Sequence, residues 1–469
     1  MTPSRRTAPS QEPSATASLR RGLGPIDGAA IIISNVVGSG IFILPAFVAQ
    51  GVSNPVGMLS VWLAGGVLAF AGAMAYAELA ALRPRAGGEY VYLKEAFGPV
   101  AGFLTGWTSF VAGFSGAIAA GAVGLAGYLG RFLPAAGDTA PWVRTELGPL
   151  TFAVSPQAVI ALTAIAGLTM VHIVGIGPGR IVQNVLAGLK VLVLVVFVAF
   201  GFSIGQGSVS NFTAVAGPVT VSAWVLALIP VMFSYSGWNA ASYVAEEMRD
   251  PGRNVPLAMG IGTVAVVVIY LLMNVLYVYA LPVASLATVD VRVVDAAADQ
   301  LFGPAVAAPV AAASVVMIAA SISAMVLAGP RVYYAMARDG QFFRAVSRVH
   351  PKFRTPTIAI VAQSAWSGVL VLSGTFDQLV NYTGFSLVLF SGIAVSALFV
   401  LRLRDPEAPR PFKAWGYPVA PLVFVVASAA IVINALWSSP GPSFTGLAII
   451  SAGVPVYWVF QIRNRTRRE

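Results

Sequence analysis

Twelve apolar stretches, each long enough to cross roughly 30 Å of hydrocarbon with about 20 residues, dominate this chain of 469 residues. The composition is 57% hydrophobic and only 10% charged, and the mean hydropathy is +0.81, which excludes an ordinary soluble fold. The sequence therefore predicts an all-α, polytopic membrane protein. The stretches begin near Asp27, Pro55, Phe97, Ser155, Arg180, Val221, Val255, Pro304, Pro356, Gln378, Pro418 and Phe444.

The positions of lysine and arginine orient these spans. If the N-terminus is cytoplasmic, 24 of the 28 Lys and Arg residues fall in cytoplasmic segments and three, Arg131, Arg144 and Arg292, fall outside. The remaining one, Lys190, lies within a span. This bias predicts twelve spans with both termini in the cytoplasm, in the plasma membrane or a bacterial inner membrane.

The composition also excludes several classes of function. The net charge of +10 is spread over loops and tails, so contact with the lipid bilayer is expected and nucleic-acid binding is not. Because the chain has no cysteine and two histidines, we expect no metal site, no cofactor and no obligate disulfide-linked partner. No paired carboxylates or nucleophile motif lie in mid-span, so an enzyme is not expected.

The first apolar stretch is interrupted near its middle. In the segment Ser34–Pro45, Gly38 and Gly40 flank Ser39 where a continuous span would be expected. Free backbone N–H and C=O groups occur at membrane depth only where protein buries them or water reaches them. The interruption therefore predicts a binding site, with a half-helix beginning just after Gly40. The alternative is close helix packing through small residues.

The sixth apolar stretch carries a second interruption, between Met232 and Asn239. Each break falls in the first span of a five-span group, which is the pattern of inverted-repeat transporters that bind substrate between the two breaks. The predicted boundaries are 1–22 for a disordered cytoplasmic tail, 23–204 for the first repeat, 205–404 for the second, 405–462 for two peripheral spans, and 463–469 for a basic cytoplasmic tail.

Helix dipoles indicate the chemistry of the ligand. The half-helix after the first break points free amides at an anion, whereas free carbonyls between Phe233 and Ser236 accept an ammonium group. Together they fit a zwitterionic amino acid. Neither break contains Asp or Glu, which a dication should require, so a neutral side chain is favoured. The alternatives are a transporter of cationic amino acids or polyamines, and a sensor that binds an amino acid without moving it.

Three motifs in the right order resemble the amino acid–polyamine–organocation transporters with the leucine-transporter fold, and in particular bacterial relatives of the L-type amino-acid transporters. The motifs are Gly38–Phe42, then Phe233–Asn239 followed by Glu246–Pro256, and Gly329–Gly340. The similarity covers nearly the whole chain after the N-terminal tail. It implies a 5+5 inverted repeat in which helices 1 and 6 are unwound.

The resemblance also implies roles for individual residues. Ser39 and Gly40 are expected to meet the substrate carboxylate, and the carbonyls of Val36 and Phe233 to meet its ammonium group. The Phe233 ring is expected to close the external gate, and Asn239 to brace the unwound segment. The predicted substrate site comprises Val36, Gly38, Ser39, Gly40, Phe233, Ser234 and Ser236.

Ser236 departs from the family pattern, because the L-type relatives commonly carry glycine at this position. The added hydroxymethyl group should narrow the pocket or supply a hydrogen bond. We therefore expect small to medium neutral L-amino acids as substrates of a secondary active transporter that works by alternating access. Its mode is predicted to be exchange or proton-coupled symport.

Lys190 stands alone about ten residues into the fifth span. A lysine this deep in a membrane is costly and is a functional candidate. In the resembled family the matching lysine lies beside the unwound part of helix 1, so its ammonium is expected to donate to carbonyls near Ser34 to Gly38 and to replace a bound sodium ion. Whether it is a permanent strut or carries a proton stays open at this point.

Two further carboxylate positions carry weaker predictions. Glu78, near the end of the second span, could pair with a loop arginine or sit at the membrane interface, and the interfacial role is favoured. The cluster around Glu246 and Glu247 could be an ion-pair latch, but such runs are more often a solvated helix end.

Overall fold

The computed structural model describes residues 21–147, 150–174, 179–213, 217–290, 292–350, 352–353, 355–374 and 376–465. The two predicted tails, 1–22 and 463–469, lie largely outside these ranges, and their predicted disorder and charge roles stay predictions.

Helices form most of the described chain. Their bounds are α1 Pro25–Val36, α2 Ser39–Gly51, α3 Pro55–Leu82, α4 Glu89–Phe97, α5 Pro99–Thr108, α6 Phe114–Leu129, α7 Pro156–Val174, α8 Gly179–Ser203, α9 Val221–Tyr235, α10 Ala240–Tyr243, α11 Pro251–Ala280, α12 Val283–Leu286, α13 Val293–Phe302, α14 Pro304–Ala328, α15 Pro330–Arg338, α16 Thr357–Ser373, α17 Phe376–Arg404, α18 Val419–Ser438 and α19 Pro440–Arg465. Short 3-10 turns cover Pro134–Gly137, Val209–Phe212, Ala245–Glu247 and Arg344–Ser347.

Many of these helices are membrane spans by length and composition. In the described residues, nine helical runs pass that test, and α1 with α2 forms a tenth span that is bent by 45°. A π-helical turn, Ser109–Gly113, joins α5 and α6 into one run. The shorter apolar helices α9 and α16 fall where the sixth and ninth spans are predicted. The all-α polytopic fold is confirmed, whereas the twelve-span count and the two repeats stay predictions.

One antiparallel hairpin interrupts the helical pattern of the described chain. Strands β1, Val143–Leu147, and β2, Leu150–Val154, pair with Val143 opposite Val154. The apolar-stretch analysis did not predict it, because a hairpin of two short strands leaves no signal in a membrane-length window. It lies between α6 and α7 and is remote from both helix breaks in the sequence.

The broken helices lie in the interior of the bundle. Helix α11 packs along α1 and α3, α14 packs along α6, and α2 packs along α9. By contrast, α8 exposes apolar side chains such as Leu189, Leu192 and Val195. A continuous apolar outer surface of this kind is the face that a bilayer covers.

Candidate functional site: two helix breaks and the adjoining cavity

The first break separates α1 from α2 at Val37 and Gly38. Helix α2 begins at Ser39, two residues earlier than predicted, so the free first-turn amides start at Ser39. Gly38 must be small, because a Cβ there would lie 2.6 Å from the Ser321 hydroxyl oxygen. The amides of this turn are the positive end of a helix dipole that lies within the bundle.

The second break runs from Ser236 to Asn239, between α9 and α10. Gly237 has φ +104°, in the left-handed region that favours glycine, and a Cβ there would lie 2.9 Å from the Asn35 Cβ. Gly40 in turn faces Ser234, whose Cα is 2.8 Å from where a Gly40 Cβ would be. The two breaks therefore pack directly on each other.

Backbone carbonyls freed by the breaks are held by hydroxyl groups of neighbouring helices. Tyr270 donates to the Val36 oxygen at 2.7 Å and to the Ser234 oxygen at 3.3 Å, and Ser321 donates to the Asn35 oxygen at 3.0 Å. Sequence reasoning missed Tyr270, since nothing in its local sequence separates it from other span tyrosines. A carbonyl oxygen has two lone pairs, so that of Val36 can still accept from a ligand.

Lys190 reaches the first break from α8. Its ammonium donates to the Val37 oxygen at 2.8 Å and to the Ser34 oxygen at 3.1 Å, and the residue is 2% exposed. These are the carbonyls that helix α1 leaves free as it ends. The Lys190 amino group therefore lies against the unwound backbone, in the place where a bound cation could otherwise contact those carbonyls.

A cavity adjoins the breaks and holds about 730 Å³ of atom-free space, counting the part that opens to solvent. Asn35 and Gly237 line it, together with the predicted residues Ser236 and Asn239. The remaining predicted residues are not part of its lining, and they are Val36, Gly38, Ser39, Gly40, Phe233 and Ser234.

The predicted residues outside the cavity wall lie in the packed contact between the two breaks. Ser39, Phe233 and Ser234 are 7%, 5% and 2% exposed. In the described structure the hydroxyl oxygens of Ser34 and Ser234 are buried without a hydrogen-bond partner. Buried polar atoms are usually paired, so these two hydroxyls leave hydrogen-bonding capacity unused beside the breaks.

Polar side chains connect the cavity to the short helix α4. Asn239 donates to the Tyr243 hydroxyl at 3.0 Å, and Tyr243 donates to Glu89 Oε1 at 2.9 Å. Glu89 lines the cavity, and burial raises the pKa of its carboxyl group to about 7. Sequence reasoning missed Glu89, because it lies between spans and only the fold brings it against the second break.

Glu78 is completely buried, so the favoured interfacial role is wrong. Its two oxygens accept from Arg402 at 2.9 Å and 2.6 Å, and Oε2 also accepts the Ala414 amide at 2.7 Å. Arg410 Nε lies 3.4 Å from Oε1. The carboxylate therefore ties α3 to the end of α17 and to the loop that follows it.

The end of the bundle that carries this cluster is termed the basic end, and it is defined by Arg83, Lys94, Arg331, Arg338 and Arg402. Glu247 accepts from Arg331 at 2.8 Å there, and Glu246 accepts from the Ala86 amide at 3.1 Å. These two glutamates are therefore anchored and do not form a solvated helix end. Their action as a latch stays a prediction.

Metal chemistry has no candidate among the described residues, where no group of three or more His, Asp or Glu side chains could hold an ion. The polar groups at the breaks are amides, carbonyls, hydroxyls and one ammonium. Such a set offers hydrogen-bond donors and acceptors to a small molecule.

Gly40→Ala is expected to lower the free energy of unfolding by about 1–3 kcal/mol, as overpacking does in tight interiors. The added methyl group would lie 2.6 Å from the Ser234 hydroxyl oxygen and 2.8 Å from its Cα, and backbone moves less readily than a side-chain tip. Thermal unfolding of the detergent-purified protein measures the change. Gly51→Ala is the matched control, since a Cβ there meets nothing within 4 Å. Equal shifts in both variants would contradict the close approach of the two breaks.

The sequence is similar to those of known amino acid transporters over nearly its whole length. A family model for amino acid permeases matches residues 23–460. The chain is 30% identical over 450 residues to the b(0,+)-type amino acid transporter 1 of Mus musculus. The aligned region covers 95% of this chain and 89% of that protein. The chain is also 29% identical over 448 residues to the serine/threonine exchanger SteT of Bacillus subtilis (strain 168). That aligned region covers 95% of this chain and 98% of the exchanger.

A third relative is the large neutral amino acids transporter small subunit 2 of Mus musculus, which is 29% identical over 457 residues, covering 94% of this chain and 81% of that protein. The matches thus extend over nearly the whole chain and include both helix breaks. The chain belongs to the amino acid permease family, within the amino acid–polyamine–organocation superfamily.

Proposed function

We propose that this protein is a secondary active transporter that exchanges small to medium neutral L-amino acids by alternating access, and that it catalyses no reaction. The observation that carries the proposal is the direct packing of two helix breaks, at Gly40 and Ser234 and at Gly237 and Asn35. The curated relatives, which include a serine/threonine exchanger, favour the same activity. In the proposed orientation the basic end faces the cytoplasm.

Each break supplies one half of the substrate site. The first-turn amides of α2, at Ser39 and Gly40, bind the substrate carboxylate with the positive end of the helix dipole. The carbonyls of Val36 and Phe233 accept from its ammonium group. The two breaks must separate for the ligand to enter between them, since Gly40 and Ser234 now fill that space.

Lys190 makes exchange the favoured mode. Its two hydrogen bonds to α1 and to Val37 hold the unwound backbone without a bound sodium ion. An ammonium group that keeps its proton throughout the cycle carries no proton in with the substrate, so in the exchange mode the gradient of the returning amino acid drives uptake. In the proton-symport alternative, Lys190 would release and rebind a proton in each cycle.

The test is uptake of radiolabelled alanine, serine and leucine into proteoliposomes. Vesicles are preloaded with unlabelled amino acid or left empty, with and without an inward proton gradient. Uptake that needs internal amino acid supports exchange. Accumulation in empty vesicles driven by the gradient would replace exchange with proton symport, and no uptake of any of the three amino acids would overturn the proposed substrate class.

Ser236→Gly is expected to move the substrate preference toward larger side chains. Ser236 lines the cavity at the second break, and removal of its hydroxymethyl group enlarges the space beside the substrate. One or two additional carbon groups in a pocket change discrimination by roughly 10-fold or more. The measurement is the ratio of leucine to serine exchange in the variant and in the unaltered protein. An unchanged ratio would remove Ser236 from the selectivity pocket.

A further inference from the structure

The loop between α15 and α16 carries positive charge that the protein does not neutralise. Residues 340–376 contain four cations and no Asp or Glu, and the cations are Arg344, Arg348, Lys352 and Arg354. The side chains of Arg344, Arg348 and Lys352 are exposed, and none of the three has an acidic partner in the part of the chain that the structure describes. The loop therefore presents cations that an anion from outside the protein can reach.

Two neighbouring cations at the basic end are bound within the protein instead. Lys94 pairs with Asp339 at 2.5 Å, and Arg331 pairs with Glu247 at 2.8 Å. These ion pairs hold α15 against α4 and against the segment that follows α10. Their charge is compensated locally, whereas that of the α15–α16 loop leaves a positive field at the surface of the basic end.

The loop has an inner and an outer face. Phe342 and Val346 are 6% and 4% exposed and pack against the bundle, whereas Phe343 is 55% exposed. A 3-10 turn that begins at Arg344 produces this division, and it leaves Arg344 and Arg348 exposed as well. One aromatic ring and two guanidinium groups are therefore presented together on the outer face.

Phe343 lies at the level of the lipid-facing surface of α19. Its ring meets the Phe460 ring edge to face, with centroids 5.1 Å apart. The two residues before Phe460, Trp458 and Val459, are 57% and 63% exposed, as is typical of side chains that a bilayer covers near its interface. Arg463 follows three residues later and marks the end of the apolar stretch. The outer face of the loop therefore meets the bilayer at the depth of the lipid headgroups.

We propose that Phe343, Arg344 and Arg348 form a binding site for the headgroup of an anionic phospholipid such as phosphatidylglycerol. In the proposed orientation this lipid belongs to the cytoplasmic leaflet. The two guanidinium groups donate to the lipid phosphate, and the Phe343 ring packs on the glycerol backbone and the adjoining acyl carbons. A soluble anion offers nothing to the ring, so the pairing of one ring with two cations favours a lipid. The site is separate from the substrate site and does not depend on which amino acid is exchanged.

The experiment counts the lipids that the full-length protein retains, by native mass spectrometry after delipidation in detergent. Dioleoylphosphatidylglycerol and dioleoylphosphatidylcholine, which share their acyl chains and differ in net charge, are added together at equal concentration. The unaltered protein is expected to retain phosphatidylglycerol as its first lipid by roughly tenfold or more, since each basic side chain near an anionic headgroup adds roughly fivefold. The preference should fall as the concentration of ammonium acetate rises, because salt screens exposed charges.

Variants assign the preference to this loop. Arg344→Gln with Arg348→Gln should reduce it below roughly threefold. The matched control is Arg253→Gln with Arg404→Gln, which removes two exposed arginines that each have a carboxylate within three residues along the chain. The control loses the same net charge and should keep the preference. Phe343→Ala should weaken retention of both lipids by a similar factor, because the ring contacts the part that they share.

Several results would overturn the site. Equal retention of the two lipids by the unaltered protein would do so, and so would a preference that persists in the double variant of Arg344 and Arg348. Equal losses in that variant and in the control would mean that the preference follows net charge and not this loop. Retention of both lipids at the unaltered level in Phe343→Ala would remove the ring from the site.

Two further arms complete the test. Displacement of phosphatidylglycerol by an equal concentration of glycerol phosphate, which carries the phosphate and no acyl chain, would assign a soluble anion to the loop and overturn the lipid. If the double variant does not elute as a folded protein, the salt series on the unaltered protein decides, and a preference that salt leaves unchanged would overturn the site. Each readout is lipid binding, so these results leave the proposed exchange to its own experiment.

Discussion

Lys190→Met is expected to reduce amino-acid exchange by roughly 30-fold or more, equivalent to about 2 kcal/mol or more. The variant keeps an unbranched, flexible side chain that is one atom shorter, and it removes both hydrogen bonds to the first break. The Ser34 and Val37 oxygens then lie unpaired in a region where each buried, unsatisfied carbonyl costs about 1–3 kcal/mol. Relaxation of that cost moves α1 relative to α2, and the amides that bind the substrate carboxylate move with it.

Leu189→Met is the matched control. Leu189 precedes Lys190 on α8, is 48% exposed on the outer face, and should tolerate the same new side chain with exchange close to that of the unaltered protein. Size-exclusion elution of both variants reports whether the fold is kept. Exchange that survives Lys190→Met at the level of the control would contradict the support of the first break by this ammonium.

Lys190→Arg separates the two mechanisms for the same residue. Arginine keeps the positive charge and cannot give up its proton. If Lys190 is a strut, exchange should survive in this variant as far as the larger guanidinium group fits. If Lys190 carries a proton, the variant should lose proton-coupled uptake. Partial exchange with no effect of a proton gradient is the result expected for a strut. Gradient-driven uptake in the unaltered protein that disappears in Lys190→Arg would instead assign proton transfer to this position.

The features of the site that sequence reasoning predicted well are those with local causes. Small residues at Gly38, Gly40 and Gly237 interrupt otherwise continuous apolar runs, and the structure places both breaks there. The length of the apolar stretches also predicts the class of membrane proteins without tertiary information. The start of α2 at Ser39 differs by two residues, which is the usual uncertainty of helix ends.

The features that sequence reasoning missed depend on contacts between distant segments. Tyr270 serves two carbonyls that lie 234 and 36 residues away along the chain, and Glu89 meets Tyr243 from 154 residues away. Neither pairing changes the local hydropathy or spacing. Glu78 shows the converse error, because its position near a span end suggested contact with water until Arg402 and Arg410 were seen to enclose it.

Glu78→Gln is expected to lower the free energy of unfolding by about 3–5 kcal/mol, the range for removal of one partner from a buried ion pair. Glu78 is fully buried, and the side chains of Arg402 and Arg410 are only 20% and 7% exposed. Neutralising the carboxylate leaves two guanidinium groups close together in a site shielded from water. Glutamine can keep the oxygen that accepts from Arg402 and from the Ala414 amide, but its NH₂ group replaces the second oxygen, which accepts from Arg402 Nε at 2.9 Å, and sets a donor against a donor.

Glu95→Gln provides the contrast that makes this prediction specific. Glu95 pairs with Arg83 at 2.5 Å at the same basic end, but the two side chains are 33% and 27% exposed, so water screens the pair. Its loss should therefore cost about 0–1 kcal/mol. Thermal unfolding of both variants in the same detergent measures the difference, and similar shifts would mean that the Glu78 carboxylate is hydrated. A further variant, Glu78→Gln with Arg402→Gln, should recover part of the loss, because it removes one of the two unpaired charges that cause it.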